Sequence, residues 1–193
     1  MRRFHRRKFS RTNKHTVRDH GLSILYFGNG KGKTTAAIGL ALRAHGAGMN
    51  VCVVQLMKSL AWQSHERKAF AELKIPVHVL GSGFVGIIDD HHSLAFHKQK
   101  AKAALAFTRR LLTSGRYDVV IADEAVSAVD EGLLTVRDIL GLIKQKPKPA
   151  HLVLTGHSRY PKIIAACDLA TEMKNVKHPY YTEGLLAQRG IDY

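Results

Sequence analysis

Leu22-Ser23-Ile24-Leu25-Tyr26-Phe27 runs directly into Gly28-Asn29-Gly30-Lys31-Gly32-Lys33-Thr34-Thr35, and an alanine-rich stretch follows. The apolar run reads as a buried strand, and 33–45 reads as a helix. Strand, glycine-rich turn and helix in that order form the context of a phosphate-binding loop. Glycines let backbone N–H groups turn inward around anionic oxygens. The helix N-terminus adds partial positive charge. Lys33 supplies a point charge, and the Thr34 hydroxyl is suited to ligate a divalent cation. The usual motif holds four residues between its first glycine and Gly-Lys. Here only Asn29, Gly30 and Lys31 separate Gly28 from Gly32-Lys33. The loop is thus one residue short and carries an extra cation. A glycine turn without a ligand is the bland alternative, and the flanking strand and helix argue against it.

Outward from this loop, short apolar runs at 22–27, 51–56, 77–80, 118–122 and 152–155 read as strands covered on both faces. Between them lie helical stretches. Residues 93–113 carry Ala101, Ala104, Leu105, Leu111 and Leu112 on one stripe. Val136, Ile139, Leu140 and Ile143 follow helical spacing, with Thr135 and Asp138 placed as a capping box. Pro161 can open a helix running to about Cys167. Such alternation predicts an α/β fold, a mainly parallel sheet with helices on both faces, whose ligands bind beyond the strands' carboxyl ends. Lys144, Lys146 and Lys148 among prolines mark an exposed loop.

Composition bounds the rest. The chain has 193 residues and 45% hydrophobic residues, enough for one domain with its own core. No stretch approaches the roughly 20 apolar residues of a membrane span. Two cysteines, Cys52 and Cys167, make neither a disulfide framework nor a zinc site, and they suit a reducing compartment, the cytoplasm. Thirty basic residues against fifteen acidic give a net charge of +15. Nearly half of it sits in the first twenty residues, in Arg2, Arg3, Arg6, Arg7, Lys8, Arg11, Lys14 and Arg18 against Asp19. Residues 1–20 therefore read as a basic, flexible tail ahead of a domain spanning 21–193. A nucleic-acid arm, a transit peptide or a segment that orders over an anionic site are the other readings of it.

A second site element is Tyr117-Asp118-Val119-Val120-Ile121-Ala122-Asp123-Glu124. Apolar residues lead to two acids at a strand's carboxyl end, where a carboxylate can help hold the Mg²⁺ of a bound triphosphate. Two strand-end acids capping the next helix are the plainer reading.

The remaining motifs narrow the chemistry. They are Val54-Gln55, Leu154-Thr155-Gly156, Asp168-Leu169-Ala170-Thr171-Glu172-Met173, Val176-Lys177-His178-Pro179 and Gly184 with Ala187-Gln188-Arg189-Gly190-Ile191-Asp192-Tyr193. Together with the short loop and Asp123-Glu124, in this order, they resemble the ATP:corrinoid adenosyltransferases of the bacterial cobalamin pathway. The likeness runs from about residue 21 to the end. It implies a three-layer, RecA-like P-loop fold, a homodimer, and transfer of the 5′-deoxyadenosyl group of ATP to the Co(I) of a reduced corrinoid with release of triphosphate. It implies ATP in reversed orientation in the loop, Mg²⁺ or Mn²⁺, and a separate electron donor for the corrinoid.

By the same resemblance, Gly28, Asn29, Gly30, Lys31, Gly32, Lys33, Thr34 and Thr35 bind the phosphates, with Lys33, Thr34 and Glu124 as the catalytic set. Thr34 and Glu124 are the metal contacts, Arg43 helps hold the nucleotide, and Phe84 shapes the corrin side. The family often reads Gly-x-Gly-Phe-Thr-Trp where this chain has Gly81-Ser82-Gly83-Phe84-Val85-Gly86, so Gly86 stands in the Trp position. His157 stands where Arg often follows Thr-Gly, and Ala125-Val126-Ser127 replaces bulkier polar residues. A nucleic-acid-associated P-loop ATPase, encouraged by the charge, is one alternative. A non-catalytic paralogue that binds ATP and corrinoid, encouraged by Gly86, is another. Asp89-Asp90-His91-His92 reads as loop and helix cap rather than a metal cluster, and His178 before Pro179 as structural. Trp62, Gln63 and Glu66 after Lys58 fit a helix on the sheet or a lid near the nucleotide.

Overall fold

The structure is a computed structural model. It describes residues 20–61, 64–83, 85–86 and 90–192. The basic tail up to Asp19, Trp62, Gln63, Phe84 and Asp89 lie outside the described residues.

Six strands form one parallel sheet: β1 (Ser23–Phe27), β2 (Val51–Gln55), β3 (Val77–Val79), β4 (Val119–Asp123), β5 (His151–Thr155) and β6 (Leu169–Glu172), in the spatial order β3-β2-β4-β5-β1-β6. Every pairing is parallel. Connecting helices are α1 (Lys33–Gly46), α2 (Glu66–Glu72), α3 (Leu94–Thr113), α4 (Ser127–Asp130), α5 (Val136–Lys144), α6 (Pro161–Ala166) and α7 (Pro179–Glu183).

The apolar runs hide a period of two. Cys52, Val54, Val120, Ala122, Leu152 and Leu154 pack on one face with Ala101, Leu105 and Leu112 of α3, Ile139 and Leu142 of α5 and Ile163 of α6. Val51, Val53, Val119, Ile121 and Val153 pack on the other with Ala37, Ala41 and Ala44 of α1 and Phe70 of α2. Both faces are covered, so neither set of alternate residues can be polar, and the sequence shows a continuous apolar run. Each fully buried Val, Leu or Ile contributes about 1.5–3 kcal/mol.

Three helix starts differ in a way that matters for the site. Ser93 caps α3 by accepting the Phe96 N–H at 3.2 Å. Thr135 and Asp138 make the expected reciprocal capping box on α5. Burial would raise the Asp138 carboxyl, but the Thr135 hydrogen bonds outweigh it and hold the group below its ordinary value. By contrast, α1 begins after Gly32 with no side-chain cap and no acid in its first turn. Its free N–H groups are left for an anion.

Two departures from the sequence reading concern segments with little apolar signal. β6 is exposed along its whole length on the sheet edge, so no apolar run announces it. The 144–149 loop is less exposed than expected: half-buried Lys146 donates to Gly21 O at 2.6 Å and Ala150 O at 2.9 Å, tying the start of β1 to the start of β5.

Candidate nucleotide site

The phosphate loop closes the carboxyl end of β1 and lies against the chain that leaves β6. Met173 N–H donates to Phe27 O at 2.7 Å, and Gly30 N–H donates to Met173 O at 2.8 Å. Asn175 donates to Asn29 O at 3.1 Å and accepts the Lys31 N–H at 3.3 Å. The contact leaves no room for side chains. A Cβ on Gly28 would stand 2.3 Å from Met173 O, and one on Gly30 would stand 2.7 Å from the Lys174 backbone. Gly28 also adopts φ 112°, a conformation suited to glycine. The Thr171-Glu172-Met173 stretch of the sequence is thus the floor of the loop.

Lys33 folds back over the loop and donates to Gly28 O and Gly30 O, both at 2.7 Å. Burial pulls its ammonium below its ordinary value, and Asp123 opposes that shift. Thr35 and Lys31 line a largely apolar cavity of about 740 Å³, whose other wall is the C-terminal segment with His178, Leu185, Gln188 and Ile191. Lys31 is ion-paired with Asp192 across its mouth.

The ends of β4 and β5 supply the acids. Asp123 is buried, and its Oδ1 accepts the Thr34 hydroxyl at 3.0 Å and the Thr155 hydroxyl at 2.8 Å. Thr155 Oγ1 in turn accepts the Glu124 N–H at 2.7 Å. Glu124 sits at φ 62°, a left-handed conformation that costs a non-glycine residue on the order of 1 kcal/mol. That turn sends its side chain back into the protein, where Oε2 is buried without a partner. Burial, reinforced by the charge of Asp123, raises its carboxyl to about 7. A buried carboxylate oxygen without a donor, beside an acid that already holds the loop threonine, fits a divalent cation. Thr34, Asp123 and Glu124 are the residues that would hold it.

The expected site residues divide by place. Gly28 through Thr35 and the Asp123–Glu124 corner come together, with Thr34 linked directly to Asp123. Arg43 does not join them. It is exposed in the last turn of α1, ten residues beyond Lys33, or about 15 Å along the axis. Phe84 falls outside the described residues.

Lys58 is the residue that sequence reasoning left out of the site. It follows β2, and its ammonium lies 3.4 Å from Asp123 Oδ2 and 3.5 Å from Glu66 Oε1 at the start of α2. Burial would lower it, but Asp123, Glu124 and Glu66 outweigh that and hold it above its ordinary value. Buried Gln55 links the same group, donating to Glu66 at 3.4 Å and accepting from Arg67 Nε at 2.9 Å. The sequence signal was Val54-Gln55 followed by a lysine, but nothing local says that this lysine meets an acid 65 positions away.

Side chains link the described residues before α3, and Gly83 N–H donates to Met57 O at 3.0 Å. Buried His97 meets Ser82 Oγ through Nδ1 at 2.8 Å and Asp90 Oδ1 through Nε2 at 2.9 Å. Asp90 also accepts the Gly86 N–H at 2.9 Å and the His92 N–H at 3.1 Å. The backbone N–H of Gly86, then the His97 side chain and the backbone N–H of His92, lower its carboxyl to about 2. No group of three or more potential ligands gathers here or elsewhere among the described residues. His178 caps α7, accepting the Tyr180 N–H at 3.1 Å. Cys52 is fully buried, and burial pushes its thiol up to about 12. Among the described residues no helix is long and apolar enough to cross a membrane.

A parallel sheet, a phosphate loop at the end of β1 and a Thr34–Asp123 link across β5 define a P-loop nucleotide-binding protein of the three-layer α/β class. Residues 19–193 match the family described as ATP:corrinoid adenosyltransferase BtuR/CobO/CobP, and the chain belongs to that family. It is 35% identical over 177 residues to a corrinoid adenosyltransferase of Pseudomonas aeruginosa, covering 91% of this chain and 85% of that protein. A corrinoid adenosyltransferase of Escherichia coli K12 is 31% identical over 175 residues, covering 91% and 87% of the two chains. One from Sinorhizobium sp is 33% identical over 180 residues, covering 91% and 81%.

Proposed function

We propose that this protein transfers the 5′-deoxyadenosyl group of ATP to the cobalt of a reduced corrinoid in cobalamin biosynthesis or salvage. The observation that carries this reading, beside family membership, is the phosphate cradle at the end of β1 with Thr34 linked to Asp123. The cradle holds a triphosphate by free α1 N–H groups, Lys33 and Thr34. Asp123 at the end of β4 is engaged by Thr34, Thr155 and Lys58, and Glu124 is turned into the protein, where a cation would meet it. That suits a reaction whose nucleophile is the substrate itself.

Co(I) brings an electron pair to C5′ of ATP. The Co–C bond forms as the C5′–O bond breaks, cobalt is oxidised to the alkyl Co(III) state, and the bond's electrons leave with triphosphate. No proton need be removed. The chain's work is to align C5′ with cobalt and to stabilise charge on the departing triphosphate. Lys33, the loop N–H groups and the α1 N-terminus do the second. A divalent cation held by Thr34, Asp123 and Glu124 would add further charge neutralisation. The 740 Å³ cavity beside Lys31 and Thr35 lies in the size range of small-molecule sites and adjoins the phosphates.

Three further parts belong to the same proposal. The protein works in the cytoplasm as a homodimer. Val176, Tyr181, Leu186 and Ile191, all strongly exposed on the C-terminal segment, supply apolar surface for a second copy. A separate donor supplies the electrons that bring the corrinoid to Co(I).

The test is a spectroscopic assay with chemically reduced corrinoid and ATP. A light-sensitive alkylcobalt product is expected. Phosphate release stimulated by DNA or RNA without that product would replace the reading with a nucleic-acid-associated ATPase. Binding of both ligands without turnover would replace it with a non-catalytic paralogue.

A further inference from the structure

Asp123 meets the loop threonine at the end of β4, Glu124 follows it in the chain, and Glu66 shares Lys58 with Asp123 from the start of α2. Asp123 gives Oδ1 to two hydroxyls, and its Oδ2 faces Lys58. Glu124 Oε2 is buried without a partner. Buried carboxylates left without a counter-charge are costly. The lysine of the phosphate loop does not supply it, because Lys33 is turned toward the carbonyls of Gly28 and Gly30.

We infer that the Lys58 ammonium is the resident counter-ion of this corner, occupying the place of the divalent cation until that cation arrives and displaces it toward the triphosphate. The inference rests on the proposed reading only in taking a triphosphate as the ligand. Three observations support it. The Lys58 side chain is 12% exposed, so its charge is committed to the corner and not to solvent. Its contacts to Asp123 and Glu66, at 3.4 and 3.5 Å, are longer than the roughly 2.7–2.9 Å of a tight charge-assisted bond. The ammonium is therefore shared and held hard by neither acid. Finally, Lys58 lies on the connection between β2 and α2, outside both elements, while Glu66 is fixed in the first turn of α2. Losing Asp123 to a metal leaves Lys58 anchored by Glu66 and free to swing. A lysine is suited to this part, being a compact charge on a flexible stem.

The test measures Mn²⁺ binding to the nucleotide-free protein by electron paramagnetic resonance of the unbound ion, in wild type, Lys58→Met and Lys58→Arg. Removal of a competing cation is expected to tighten Mn²⁺ binding about tenfold in Lys58→Met, while Lys58→Arg stays near wild type. Unchanged or weaker Mn²⁺ binding in a Lys58→Met protein that melts like wild type would overturn the inference. A second measurement needs no variant. The rate of reductive methylation of Lys58, read by mass spectrometry, is expected to rise severalfold when the wild-type protein is saturated with Mg²⁺. A rate unmoved by Mg²⁺ would overturn the inference equally. Neither readout depends on adenosyl transfer, so an inactive protein that shows both effects would contradict the proposed reaction and leave the role of Lys58 standing.

Discussion

Two loops at the carboxyl edge of the same sheet are held in place by different mixtures of backbone and side-chain contact. The phosphate loop is fixed by backbone: its glycines press on Met173 and Lys174 so closely that a Cβ at Gly28 has nowhere to go. The described residues between β3 and α3 use both means: Gly81 presses on the Met57 backbone, where a Cβ would stand 2.1 Å from Met57 O, while Ser82, Asp90 and His97 tie down the rest by side chains, and a Cβ at Gly86 would meet nothing within 4 Å among the described residues. The first arrangement tolerates almost no change in sequence. The second tolerates change wherever Gly81 and the knot itself are spared. Gly86 adopts φ 70° and donates its N–H to Asp90.

The largest effects should come from the backbone-held loop. Lys33→Ala removes a charge from the departing triphosphate and a brace from two loop carbonyls. Transfer is expected to fall at least about 10²-fold in steady-state assays. Gly28→Ala forces Cβ against Met173 O in a strained conformation. ATP affinity, measured by calorimetry, should fall by a similar factor, with melting lowered by roughly 1–3 kcal/mol of stability. Near-normal ATP binding in Gly28→Ala would show that the loop is not held by this contact.

The side-chain knot should answer differently. His97→Ala leaves Ser82 and Asp90 without their buried partner and is expected to cost about 1–3 kcal/mol in denaturant unfolding. ATP affinity should stay within about twofold of wild type. A large loss of ATP binding would mean that the two loops are coupled.

Glu124 separates the two by pH. Its carboxyl is raised to about 7 from an ordinary 4.5 in the folded protein. Below pH 4.5 it is neutral whether folded or not. Between pH 4.5 and about 7 the folded chain holds a proton that the unfolded chain has released, so stability falls across that window and the loss is complete once pH has passed through 7. Glu124→Gln removes this dependence. Without divalent cation its melting temperature should exceed that of wild type above pH 7, by an amount on the order of 1 kcal/mol, and the gap should close below pH 4.5. A gap that is the same at pH 4 and pH 8 would contradict the assignment.

The smallest effect on the fold belongs to Gly86→Trp. A Cβ at Gly86 meets nothing within 4 Å among the described residues, and the left-handed backbone opposes it at about 1 kcal/mol. Changed rates across a panel of corrinoids, with ATP affinity constant, are expected. An identical profile would mean that residue 86 does not meet the corrinoid.

Much of the architecture was legible in the sequence because buried strands and glycine loops leave local marks. Five strands, the α1 phosphate loop and the Thr135–Asp138 cap were all of that kind. β6 was not, because a short exposed edge strand carries no apolar run. Lys58 was not, because its meaning depends on Glu66 and Asp123 arriving beside it. Nor was the knot: Ser82, Asp90 and His97 read separately as a turn, a loop acid and a helix residue, and the fold alone makes them one unit. The tail at 1–19 and Phe84 fall outside the described residues, and the expected basic, flexible tail and the part of Phe84 on the corrin side stand as proposals.

The central claim is that the phosphate loop presents ATP for attack at C5′ and not at its terminal phosphorus. Phosphorus NMR of a reaction with reduced corrinoid tests it most directly. The account predicts one intact triphosphate for each alkylcobalt product, with no ADP. ADP and orthophosphate formed in step with ATP loss would contradict it.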